Sequence, residues 1–100
     1  MPTIVEVSVV PVGTGNCSMG DLVAETLKTV KAEGVEFELN AMGTNMEGDL
    51  DELLGVARKM HEVCFEHGAE RTVTIIKIDD RRDKDLTMAY KVDSVLERAK

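Results

Sequence analysis

Residues 42–48, Met-Gly-Thr-Asn-Met-Glu-Gly, are the densest set of groups in the chain able to recognise a small molecule. Two glycines bracket the hydroxyl of Thr44, the amide of Asn45 and the carboxylate of Glu47. Backbone freedom and three hydrogen-bonding side chains therefore meet where a plain turn needs glycine alone. Glu47 is the sharpest of the three, because a carboxylate in a partly apolar pocket accepts from an amino group and favours a cationic ligand. Met42 and Met46 flank the cluster and suit soft sulfur contacts to an aromatic ring. A hairpin turn accounts for the two glycines but not for the polar groups between two methionines.

Other constellations carry less chemistry. Residues 13–18, Gly-Thr-Gly-Asn-Cys-Ser, have the flexible backbone and hydroxyl of an anion cradle, but the Gly-Lys-Ser/Thr ending of a P-loop is missing. A strand-to-helix connection with Ser18 as N-cap is the simpler account of the segment. His61, Cys64 and His67 recur every three residues, yet on a helix His61 and His67 diverge by roughly a third of a turn, and a structural zinc takes four ligands. Asp79-Asp80-Arg81-Arg82-Asp83 suits ion pairs within the run or across a subunit boundary, and its carboxylates would need water or phosphate to hold magnesium. Cys17 near a helix start has no partner base. No nucleophile, base and orienting group combine, so neither an enzyme, a cofactor nor a metal centre is expected.

The elements that must carry these residues follow from periodicity. Val5, Val7 and Val9 alternate with Glu6 and Ser8 over residues 3–12, which predicts a half-buried strand whose end is weakened by Pro11. Leu22, Val23, Thr26, Leu27 and Val30 form a helical stripe between a Ser18 cap and a Gly34 stop. Val35, Phe37, Leu39 and Ala41 alternate with Glu36, Glu38 and Asn40, giving a second strand; residues 43–48 supply a turn and a short third one. Asp49 with Glu52 opens a second helix through Leu53, Ala57 and Cys64, closed by Gly68. Residues 71–79 carry Val73, Ile75, Ile76 and Ile78 on both faces, which predicts a strand covered on both sides. Residues 86–100 form a third amphipathic helix whose apolar stripe needs a surface, and a second copy of the chain is the expected cover.

Strand, helix, strand, strand, helix, strand is the split βαβ order. It predicts an α+β, ferredoxin-like βαββαβ fold: a four-stranded antiparallel sheet with two helices on one face, plus the additional C-terminal helix, in one domain spanning 1–100. The 100 residues include 43% apolar residues, with Phe37, Phe65 and Tyr90 the only aromatics, so the core is aliphatic. The net charge of -7 disfavours sequence-independent binding to nucleic acid or anionic membrane. Two distant cysteines, no basic-apolar leader and no membrane-length apolar run point to a cytoplasmic protein.

Three segments together, Val10-Pro11-Val12-Gly13 with Ser18, residues 42–48, and Ile78 through Asp83, resemble the small thiamine-binding-protein-like family related to YkoF. The resemblance covers nearly the whole chain. It implies a ferredoxin-like subunit, assembly as dimers that pair into tetramers, and in some members binding of thiamine or its hydroxymethylpyrimidine moiety without catalysis. Two-repeat relatives carry two such units and this chain one, so a pocket here depends more on oligomerisation. Ser18, Thr44, Asn45 and Glu47 match the family's motif positions, and strand alternation adds Asn40 to the candidate ligand-binding set. The expected function is non-catalytic binding of a small heteroaromatic by a homo-oligomer; the alternative is an oligomeric structural or regulatory module without a ligand.

Overall fold

The computed structural model describes residues 2–13 and 18–100. Strand β1 (Thr3–Val12) leads to helix α1 (Met19–Glu33), strands β2 (Glu36–Asn40) and β3 (Gly43–Gly48), helix α2 (Leu50–Glu66), strand β4 (Arg71–Asp79) and helix α3 (Met88–Arg98). The strands stand in the order β2-β3-β1-β4 and every neighbouring pair is antiparallel. This is the ferredoxin-like arrangement with one extra helix.

Local chemistry sets the helix limits. Ser18 Oγ accepts the Asp21 N–H at 3.1 Å and Asp49 Oδ2 accepts the Glu52 N–H at 3.2 Å, each satisfying a donor left over at a helix start. Helix α1 stops at Gly34, whose φ of 71° is the left-handed conformation that glycine adopts without a Cβ clash.

Register fixes the faces. Val5 lies opposite Met46 and Val7 opposite Thr44, so these four share the inner face, over which α1 and α2 pack. The main core is Val5, Val7, Val30, Met46, Leu53, Val56, Ala57 and Met60, an aliphatic cluster in which each buried side chain contributes about 1.5–3 kcal/mol. On the outer face, Glu38, Asn45, Glu6 and Lys77 line up in one row across all four strands.

Two apolar surfaces stay open within this chain. The outer face of β4 is open at Ile75, which is 62% exposed, because α1 and α2 both sit on the opposite side and α3 stands over the far end of the strand, at Lys77 and Asp79. Helix α3 buries none of its residues. It is held at its start by Glu47, whose Oε1 accepts the Met88 N–H at 2.6 Å, and along its side by a Lys91–Asp79 ion pair. The preceding Leu86 is buried.

Candidate functional site

The strands differ in length, and the difference makes a cavity. Strand β1 pairs with β4 as far as Val12, but its ladder with β3 ends at Val7–Thr44. Beyond that point no strand among the described residues pairs with the β3 side of β1. A cavity of ≈ 320 Å³ occupies the notch, bounded by β1 from Val7 to Val10, by the β2–β3 turn, and by Met19, Val23 and Thr26 of α1. Gly43 makes this corner possible, since a Cβ there would stand 3.0 Å from the Val7 carbonyl oxygen.

The lining is apolar and rich in sulfur, with Met19, Met42 and Met60 on three sides. Polar groups are few. Thr44 is buried, 5% exposed, and among the described residues no hydrogen bond engages its hydroxyl; the Thr26 hydroxyl, by contrast, donates to the Val23 carbonyl at 2.6 Å. Asn40 also lines the wall. Soft sulfur faces with a few placed hydrogen-bonding groups are the chemistry of a small, flat, weakly polar ligand.

A second cavity of ≈ 420 Å³ lies between the outer sheet face and α3, with Glu6, Glu38, Asn45 and Lys77 on its floor and Met88 and Val92 above. Its charged floor side chains are exposed to water, and its roof is the weakly anchored α3.

The structure therefore divides the candidate set. Thr44 and Asn40 line the notch, and Ser18 directly precedes its Met19, although the Ser18 hydroxyl is engaged as the α1 cap. Asn45 points to the opposite face and lines the outer cavity. Glu47, on that face too, is committed to the start of α3. Adjacent residues of a strand cannot serve one face, which is why a polar heptapeptide separates into two sites. The two methionines part as well: Met46 is fully buried in the core and Met42 is 86% exposed at the notch rim.

Both histidines have structural partners. His61 Nδ1 lies 2.6 Å from Thr74 Oγ1, and His67 Nδ1 lies 3.0 Å from the Val63 carbonyl oxygen. Cys64 is fully buried, and burial pushes its thiol above the usual range. Among the described residues no group of three or more His, Cys, Asp or Glu side chains converges on a metal position. Arg81 pairs with Asp83 and Arg82 with Asp80, so the charged run closes on itself, apart from Asp79; both arginines hold their carboxylate partners below the usual range. Cys17 lies outside the described residues. Among these residues no helix is long and apolar enough to cross a membrane.

Residues 5–96 match the family model described as thiamine-binding protein. The chain belongs to that family. A UPF0045 protein of Methanothermobacter thermautotrophicus is 40% identical over 94 residues, covering 93% of this chain and 95% of the relative. The crystal structure of a hypothetical protein from Methanocaldococcus jannaschii superposes with a TM-score of 0.87 at 35% identity, over 96% of this chain and 97% of that one. A Thermotoga maritima protein given a provisional role in thiamine biosynthesis or salvage has the same fold, with a TM-score of 0.79 at 21% identity over 95% of this chain and 99% of that one.

Sequence reasoning missed Met19, Met60 and the β1 segment that forms the floor of the notch. The available signal was the mismatch between a ten-residue β1 and a six-residue β3, together with a proline inside β1, a residue that sheets tolerate where no ladder bond is needed.

Proposed function

We propose that this protein binds a small heteroaromatic compound, thiamine or its hydroxymethylpyrimidine moiety, in the notch beside β1, and that it does so without catalysis. The observation that carries the proposal is Thr44, 5% exposed, whose hydroxyl has no hydrogen-bond partner among the described residues, on the wall of a methionine-lined cavity. At ≈ 320 Å³ the space falls at the small end of the about 300–1,000 Å³ typical of ligand pockets, which favours a compact ring over an extended cofactor. Membership of the thiamine-binding protein family supports the choice of ligand. Non-catalytic binding is favoured because the described residues that line the notch include no His, Cys, Lys, Asp or Glu.

Calorimetry with thiamine and hydroxymethylpyrimidine tests it. Thr44→Val keeps the shape and removes the hydroxyl, and is expected to weaken binding about tenfold, the upper end of a neutral hydrogen bond of ~0.5–1.5 kcal/mol. Folded protein that takes up neither compound at millimolar concentration would defeat the proposal.

Self-association belongs to the same reading. Val10, Val73 and Ile75 are exposed on the outer sheet face, and Val92, Val95 and Leu96 on α3, at 37% to 63% of their surface. Apolar side chains concentrated on one side of a small domain are best satisfied by a second copy presenting the same surface. Ile75→Lys is expected to lower the mass seen by light scattering; a monomeric parent at micromolar concentration would exclude a homo-oligomer.

A further inference from the structure

We infer that the ligand of the notch is read by the main chain of β1, with the N–H and C=O of Val9 acting as a paired donor and acceptor for an amino group and the unprotonated ring nitrogen beside it. This rests on the binding role proposed above and names the groups that carry it out.

Strand direction decides which backbone groups face the notch. The Val7 carbonyl oxygen would lie 3.0 Å from a Cβ on Gly43 of β3, so the backbone groups of Val7 point to the β3 side. Along a regular strand the N–H and C=O of alternate residues point to the same edge. The register with β4 is unbroken from Ile4 to Val12, so the alternation continues: Ser8, Val10 and Val12 turn toward β4, while Val9 and Pro11 turn toward the notch. Pro11 has no N–H to donate, and on this edge no strand among the described residues would receive one. The edge therefore offers one donor, the Val9 N–H, and two acceptors, the carbonyls of Val9 and Pro11.

Val9 is half-buried, lines the cavity and lies beyond the last β1–β3 pair among the described residues, so its main-chain groups on this edge sit in a partly apolar wall where a ligand can pair with them. A whole strand does not fit, because Met19 and Val23 of α1 and the β2–β3 turn close the space. A planar heterocycle does. Its exocyclic amine donates to the Val9 carbonyl and its adjacent ring nitrogen accepts the Val9 N–H, reproducing the two bonds that a residue exchanges with its opposite number in an antiparallel pair. The Thr44 hydroxyl and the methionine side chains then meet the rest of the ring. Recognition of this kind selects aminated rings over isosteres that lack either group, since a missing partner leaves the strand groups unpaired.

The test is heteronuclear NMR of the full chain with hydroxymethylpyrimidine, an aminopyrimidine, as the probe. It is run beside an analogue without the amine and an analogue with carbon in place of the ring nitrogen next to it. The expected result is a Val9 amide that shifts and exchanges at least tenfold more slowly at saturation, a Val10 amide that does not change, and at least tenfold weaker binding of each analogue. Binding of the probe with an unprotected Val9 amide and equal affinity for both analogues overturns main-chain recognition and leaves the binding role standing. No binding of the probe to folded protein overturns both.

Discussion

Glu47→Ala is expected to loosen α3 and leave the sheet intact. The carboxylate accepts the Met88 N–H at 2.6 Å across 41 residues of chain, in a half-buried setting. Met88 opens α3, and its N–H is among the four at a helix start that lack an intrahelical acceptor. A hydrogen bond to a charged group contributes ~1.5–3 kcal/mol, and partial exposure places this one at the lower end, about 1.5 kcal/mol. Such a loss raises the detached population of α3 roughly tenfold. It stays local because no residue of α3 is buried, whereas α2 is anchored by Leu53, Val56, Ala57, Met60 and Cys64. Hydrogen exchange read by mass spectrometry should show amides of residues 88–98 exchanging about tenfold faster with α2 unchanged, and Glu47→Gln, which keeps an acceptor without the charge, should fall between. If α3 exchange stays as in the parent while thiamine affinity collapses, the carboxylate serves ligand rather than helix and its role as an anchor of α3 is refuted.

Two further outcomes follow from the geometry around the notch and the core. Gly43→Ala sets a Cβ 3.0 Å from a backbone oxygen that cannot swing away, and overpacking of this kind costs ~1–3 kcal/mol. The thermal midpoint should fall by roughly 4–8 °C per kcal/mol lost, and an unchanged midpoint would mean that β3 shifts freely. In a Cys17→Ser background, Cys64 should resist a thiol reagent at neutral pH. Burial raises its pKa, so the reactive thiolate is scarce until the pH climbs or denaturant opens the core, and rapid labelling of the native chain would contradict the packing.

Much of the architecture is written in local pattern. Alternation of Val5, Val7 and Val9 with Glu6 and Ser8 names the buried face of β1, and the structure buries Val5 and Val7 on that face. Ser18, Gly34 and Asp49 mark helix limits through chemistry that acts within four residues, so neighbours in sequence suffice to predict it. The αβ order restricts the topology because right-handed crossovers leave few alternatives, and the ferredoxin-like sheet follows. Val73, Ile75, Ile76 and Ile78 predict cover on both sides of β4, but hydrophobicity states a need for cover without saying which chain supplies it.

The site was only half legible. Residues 42–48 announce their polar groups, yet period-two alternation turns Thr44 inward and Asn45 and Glu47 outward, so side chains adjacent in sequence end in different cavities. What the sequence by itself determined is the set of elements, their caps, the aliphatic core and the presence of a thiamine-binding-family pattern, all of them consequences of short-range spacing. What only the tertiary structure decided is where β3 stops along β1, which places the notch beside Val9 and commits Glu47 to Met88. Those are relations between residues 37 and 41 positions apart, Val7 with Thr44 and Glu47 with Met88, fixed by strand register and by the docking of α3, and no local pattern carries them.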